Sequence, residues 1–313
     1  MSAHIDLNGK VSIVTGAGRG LGQAYAVALA AAGSAVVVND IDADAAAETV
    51  RTVTEAGGRA VAVVAPVGEA EVADALVASA VDTFGRLDVL VTNAGVLRDG
   101  VLWKMSDDAF DVVTRTHLRG TFTCARAAAI RFREQGDGGR IVVVGSPAGQ
   151  HGNFGQTNYA AAKAGIVAFA RTWAMELARA QVTVNAIIPT AWTQMTATIP
   201  IYAPLVDAVE AGEALPRQVR QAHAIGMPED SASLVVFLAA DASAEVTGQA
   251  IGIGGDKLSL YSHPVEVATA FHEGGWSPEL IAENWSTTMA PMTQQYGISL
   301  PELDLRDPAP KAS

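Results

Sequence analysis

Short, continuous apolar runs alternate along the chain with longer stretches whose apolar positions recur at helical spacing. The runs fall near 11–14, 35–38, 60–64, 87–91, 141–144, 182–188 and 250–253. The helical periods fall near 21–32, 42–56, 69–84, 107–133, 157–179 and 229–240. A strand apolar on both sides must be covered on both faces, so the pattern predicts an α/β fold: a doubly wound parallel sheet with helices on each face. Ligands of such sheets bind beyond the carboxyl ends of the strands. Gly16, Asp40, Asn93, Ser146 and Pro189 each follow an apolar run, so one sheet edge is expected to collect them.

Two segments depart from the rhythm. Residues 190–228 carry Pro200, Pro204, Pro216 and Pro228 among helical stretches and read as a lid over that edge. Trp192, Met195 and Tyr202 of the lid, with Pro147 and Phe154, are candidates for an apolar substrate pocket. Beyond Asp256 the alternation stops. The expected organisation is a catalytic domain over 1–256 and an aromatic-containing C-terminal extension over 257–313, which packs on the domain or on a neighbouring subunit. The charged, proline-rich tail from about 301 is expected to be flexible.

With 313 residues, half of them hydrophobic, the chain can bury a large core. Its net charge of −12 opposes nonspecific association with nucleic acid or anionic membranes. Cys124 is the single cysteine, so no intrachain disulfide can form, and core packing is its expected role. No run approaches the ~20 apolar residues of a membrane span, and residues 1–10 hold no apolar leader, so a cytoplasmic protein is expected. No metal site is expected.

The chemistry is concentrated in three residues. Tyr159 and Lys163 stand four apart in a helical stretch and therefore share a face. A neighbouring ammonium lowers the pKa of a phenol and fits it to exchange a proton with an alcohol or ketone oxygen. Ser146, upstream, can donate a hydrogen bond to the same oxygen. Taken alone, Tyr-x-x-x-Lys is an ordinary surface pair; its context gives it weight. The first apolar run leads into Thr15-Gly16-Ala17-Gly18-Arg19-Gly20-Leu21-Gly22 and then into an alanine-rich helix. Glycines between strand and helix let backbone amides approach a pyrophosphate, the arrangement of a Rossmann-type dinucleotide site. Asp40 ends the second run, where an acid binds ribose hydroxyls and repels a 2′-phosphate. NAD is therefore expected over NADP, although Arg19 in the loop suits a 2′-phosphate.

These motifs resemble the short-chain dehydrogenases/reductases over roughly residues 5–256. Thr15-Gly16-x-x-x-Gly20-x-Gly22 is similar to that family's dinucleotide loop, Asn93-Ala94-Gly95 to its Asn-Ala-Gly segment, and Ser146, Tyr159 and Lys163 to its catalytic serine, tyrosine and lysine. The resemblance implies cofactor contacts at Gly16, Arg19, Gly20, Leu21, Gly22 and Asp40. It implies further contacts at Val67, at Asn93, Ala94 and Gly95, at Tyr159 and Lys163, and at Pro189, Thr190 and Thr193. It also implies a homodimer or homotetramer paired through long helices such as 107–133 and 157–179. His117 stands where the family usually has Asn and implies a place in a proton path. The stretches Leu97-Arg98-Asp99, 116–122 and 152–159 are similar to the 3-hydroxyacyl-CoA dehydrogenases, also described as 17β-hydroxysteroid dehydrogenases. This implies NAD-dependent interconversion of a secondary alcohol and a ketone on a 3-hydroxyacyl-CoA, a steroid-derived chain among those allowed. The alternatives are free alcohols, ketones or hydroxysteroids as substrates, 3-oxoacyl-carrier-protein reduction, and a catalytically silent nucleotide sensor.

Overall fold

A computed structural model describes residues 5–197 and 199–302. The seven apolar runs form strands β1 (Val11–Thr15), β2 (Ala35–Asp40), β3 (Arg59–Val64), β4 (Val89–Thr92), β5 (Gly139–Val144), β6 (Val182–Pro189) and β7 (Ala250–Gly254). With β8 (Lys257–Tyr261) they form one eight-stranded sheet in the order β3-β2-β1-β4-β5-β6-β7-β8, parallel through β7. The chain starts in the middle of the sheet, winds outward through β2 and β3, and returns to place β4 on the other side of β1. That reversal opens a crevice at the carboxyl ends of β1 and β4, where such folds bind ligands.

The connecting helices are α1 (Gly20–Ala31), α2 (Ala43–Glu55), α3 (Ala70–Phe84), α4 (Asp107–Thr114), α5 (Gly120–Gln135), α6 (Pro147–His151) and α7 (Thr157–Glu176). The short α8 (Gln194–Ala197), α9 (Val206–Glu210) and α10 (Arg217–Gln221) follow, then α11 (Pro228–Ala239) and α12 (Pro278–Thr288). β1, β2 and β4 are buried along nearly their whole length because helices cover both faces. On one face Leu76, Phe132 and Ile166 pack on Ile13, Leu90 and Ile141; on the other Leu29, Val235 and Leu238 pack on Val36, Val38 and Val142. Among the described residues no helix is long and apolar enough to cross a membrane.

Three sequence expectations are corrected. The helix expected over 107–133 is divided: a π-helical turn, Arg115–Arg119, separates α4 from α5 and carries the buried His117. The sheet does not stop at Asp256, because β8 (Lys257–Tyr261) folds back antiparallel to β7, pairing Ile253 with Leu258 and Ile251 with Leu260. A domain boundary at 256 would cut this hairpin. Beyond Tyr261, α12 is capped by Ser277, whose hydroxyl accepts the Leu280 N–H at 3.2 Å, and it buries no residue completely. Finally, the lid has a small core of its own, in which Trp192, Tyr202, Leu205, Leu215, Val219 and Ile225 are buried. The expected flexible tail lies beyond 302, outside the described residues, apart from its first positions.

Candidate active site

The glycine loop after β1 is closed by close backbone approach. A Cβ on Gly22 would stand 2.0 Å from the Gly16 carbonyl oxygen, and one on Gly16 would stand 2.6 Å from Ala94 Cα. Asn93 locks the turn: its side-chain amide donates to the carbonyls of Gly16 (2.9 Å) and Thr15 (3.2 Å). The Thr15 hydroxyl accepts the N–H groups of Asn93 (3.0 Å) and Ala94 (3.1 Å), tying β1 to β4. The first turn of α1 has no side-chain cap and no acidic residue, so its amides are left for an anionic ligand. Asp40 Oδ2 accepts the Gly18 N–H at 2.8 Å and Oδ1 the Asp42 N–H at 3.1 Å. Arg19 is paired with Asp42 at 2.5 Å. Val67 is partly buried against the core after β3. These groups fit a dinucleotide: an uncapped helix N-terminus for pyrophosphate and a strand-end carboxylate for ribose.

Ser146, Tyr159 and Lys163 meet at the end of β5. Ser146 is extended, and its hydroxyl accepts the Ala148 N–H at 3.2 Å, which starts α6 under the proline at its first position. Tyr159 lies in the first turn of α7. Buried Asn158 holds that turn in place by donating to the carbonyls of Arg98 (3.0 Å) and Ala109 (2.9 Å). One turn later Lys163 places its ammonium 5.6 Å from the centroid of the Tyr159 ring and donates to the Val144 carbonyl at 2.6 Å. The helical spacing therefore does put the two side chains on one face.

The electrostatics differ from expectation. Burial pushes the Tyr159 phenol above its ordinary value; a hydrogen bond with Ser146 opposes this, and the Asp99 charge adds to it. Burial also lowers Lys163 to about 7. Desolvation is the largest influence on the phenol. His117, expected in a proton path, lies beside this pair. Its ring lies edge-on to Tyr159, with centroids 5.2 Å apart, and Nε2 is 2.8 Å from the Val96 carbonyl oxygen. Burial, followed by the charge of Lys163, presses His117 down to about 3, so it stays neutral at physiological pH. The ring also fills the space beside Gly95, where a Cβ would meet His117 Cε1 at 2.2 Å. His117 thus shapes the site without carrying charge.

The expected pocket residues are only partly brought together. Pro189 ends β6, Thr190 donates to the Ile253 carbonyl at 2.9 Å, and the Thr193 and Thr196 hydroxyls are 3.2 Å apart at the base of the lid. Pro147 opens α6 directly beside Ser146. Trp192 and Tyr202 are both buried in the core of the lid, and the Tyr202 hydroxyl lies 3.0 Å from His223 Nδ1. Phe154 is 85% exposed. The Met195 side chain lies outside the described side chains. A hollow of about 550 Å³ on the outer face of α4, α5 and α7, lined by Arg115, Leu118, Phe122 and Phe169, contains none of the catalytic residues. Sequence reasoning gave no individual role to Thr15, Asn158 or Asp42. Each is a capping or bridging polar residue at an element end, a signal that becomes specific only when its partner is known.

The family model described as short chain dehydrogenase matches residues 10–200. The chain belongs to the short-chain dehydrogenase family. It is an oxidoreductase that uses an NAD(P) dinucleotide. This short-chain dehydrogenase is 44% identical over 271 residues to the hydroxyacyl-CoA dehydrogenase ChsB1 of Mycobacterium tuberculosis, covering 83% of this chain and 81% of that one. It is 36% identical over 295 residues to the peroxisomal multifunctional enzyme type 2 of Mus musculus, covering 91% of this chain but 37% of that protein. A crystal structure of a short chain dehydrogenase from Mycobacterium avium matches with a TM-score of 0.77 at 35% identity, covering 93% of this chain and 99% of that one.

Proposed function

We propose that the protein is an NAD-dependent dehydrogenase of 3-hydroxyacyl-CoA thioesters, interconverting the 3-hydroxyl and the 3-ketone. The observation that carries the reading is the meeting of Ser146, Tyr159 and Lys163 at a sheet edge shared with the glycine loop, in a chain 44% identical to a hydroxyacyl-CoA dehydrogenase. The bound dinucleotide supplies the acceptor for hydride. In oxidation Tyr159 takes the hydroxyl proton, and Ser146 orients the oxygen and stabilises its developing charge. Lys163 supplies positive charge beneath the phenol, and His117 keeps the ring in place.

NAD is preferred because Asp40 presents a carboxylate at the end of β2. For the coenzyme A phosphates, Arg98 is the arginine on the substrate side, in the loop held by Asn158. Arg115 and Arg119 are engaged with Glu69 and the Gly68 carbonyl on α5's far side, and Arg126 lies over Phe122. Pairing of two copies through α5 and α7 accounts for the exposure of Phe122, Ile130 and Met175 on those helices. A second reading comes from 40% identity to a 3-oxoacyl-[acyl-carrier-protein] reductase of Synechocystis over 80% of this chain. Nicotinamide absorbance over a panel of 3-hydroxyacyl-CoAs, carrier-protein thioesters, free alcohols and hydroxysteroids, each with NAD and NADP, decides between them. Turnover of CoA thioesters with NAD is expected. Activity confined to free alcohols or to carrier-protein substrates would overturn the reading.

A further inference from the structure

Arg19 is the residue of the glycine loop that argues for a 2′-phosphate, because a guanidinium complements phosphate oxygens. In the structure it is engaged. Its Nη2 stands 2.5 Å from Asp42 Oδ2. Asp42 is itself fixed from two directions. Its Oδ1 accepts the Ala45 N–H at 3.1 Å and so caps α2, while its backbone N–H donates to Asp40 Oδ1 at 3.1 Å. Asp40 in turn holds the Gly18 N–H with its other oxygen. The cap leaves Asp42 with one oxygen free, and that oxygen meets Arg19. Asp42 therefore holds Arg19 with its side chain and Asp40 with its backbone N–H, beside the glycine loop. The Asp42 carboxyl is held below the ordinary carboxylate range, first by the Ala45 N–H and then by Arg19, so it is charged at neutral pH.

We infer that Asp42 is a second specificity-determining residue for the dinucleotide: it occupies Arg19 and adds a negative charge at the loop, so that a 2′-phosphorylated coenzyme is disfavoured beyond the effect of Asp40. This rests on the reading of the glycine loop as the dinucleotide site. The side chains of Arg19 and Asp42 are 70% and 36% exposed, so the pair does little for folding. Its consequence is where the loop's charge sits. Without Asp42's charge, the Arg19 guanidinium is available to a phosphate.

The test uses the full chain purified free of nucleotide and measures dissociation constants for NAD and NADP by calorimetry, independently of turnover. Asp42→Asn removes the charge and keeps an oxygen for the α2 cap; Asp42→Ser, another good capping residue, serves as a second variant. Either is expected to tighten NADP binding about five- to tenfold while leaving NAD within about twofold. Arg19→Ala alone is expected to change NADP binding little, yet to abolish the gain when combined with Asp42→Asn. Unchanged NADP affinity in both Asp42 variants would overturn the inference. So would an Arg19→Ala loss equal in both backgrounds. A wild-type protein that binds NADP as tightly as NAD would defeat the role given to Asp40; a non-additive cycle in that same protein would still support Asp42's hold on Arg19.

Discussion

Lys163 is held under the Tyr159 phenol with its ammonium against the Val144 carbonyl, and burial lowers its pKa from 10.5 to about 7. The unfolded chain keeps that proton up to 10.5, whereas the folded chain releases it near 7. Between those values the unfolded state binds more protons, so stability rises with pH. Tyr25 and Tyr159 act in the opposite sense. Burial raises both, so the folded chain holds their protons longer and loses stability above about pH 10, where free phenols ionise. Cys124, whose thiol is raised by burial from 9.0 to about 12, likewise takes stability away above about pH 9, so the nucleotide-free protein is expected to gain unfolding free energy in urea between pH 7 and about 8.5. Lys163→Met should remove that slope, and a flat wild-type profile would contradict the assignment. Tyr159→Phe keeps the ring that packs on His117 and deletes only the hydroxyl. Turnover should fall on the order of 10²–10⁴-fold while calorimetry still detects dinucleotide binding. Cys124 is a buried thiol pushed up to about 12 by desolvation, so it should resist alkylation in the folded protein.

Two glycines of one loop are expected to fail differently, because they are glycines for different reasons. Gly20 has φ +57° but open space around its missing Cβ, so Gly20→Ala costs backbone strain alone, about 1–2 kcal/mol. A Cβ on Gly22 meets the Gly16 carbonyl oxygen at 2.0 Å and the Asn93 amide at 2.5 Å. Gly22→Ala must push the loop off α1, so dinucleotide binding should be lost and the melting temperature should fall further than in Gly20→Ala. Equal behaviour of the two variants in thermal denaturation and calorimetry would refute this. The loop, the seven parallel strands and the Tyr159–Lys163 face were legible because each depends on local spacing: an apolar run, a glycine cluster, a four-residue interval. The π turn was not, since one extra residue in a turn leaves the apolar pattern of 107–133 continuous while turning His117 inward. β8 was not, because an edge strand covered on one side offers Lys257, Ser259 and only two leucines, both exposed. Tyr202 and Trp192 were apolar enough for a pocket, and only the fold places them inside the lid's own core.

Across the whole molecule, the lid is anchored from two sides. Arg220 of α10 bridges Asp230 at 3.0 Å and Asp256 at 2.8 Å, fastening the lid to α11 and to the β7–β8 turn. The end of the extension fastens it again: His223 Nε2 lies 2.8 Å from the Pro301 carbonyl oxygen, and the Gln218 amide donates to the Glu302 carbonyl at 2.6 Å. Just before these contacts, the Gly297 N–H donates to the carbonyl of His151, at the end of the helix that Ser146 begins. Residues 297–302 therefore connect the catalytic serine's helix to the lid, although neither end of that connection contributes a reacting group. His223 is buried and uses both ring nitrogens, one toward Tyr202 and one toward the extension, so removing Pro301 disturbs the lid core rather than a surface contact. Ending the chain after Tyr296 is expected to loosen the lid while leaving Ser146, Tyr159 and Lys163 in place. KM for the substrate should rise severalfold with a smaller change in kcat, and limited proteolysis should cut sooner within 199–227. The dinucleotide should bind as before, since the glycine loop lies across the crevice and touches none of these residues. Loss of dinucleotide binding in the truncated chain, or an unaltered KM together with an unaltered proteolysis pattern, would show that the extension does not hold the lid.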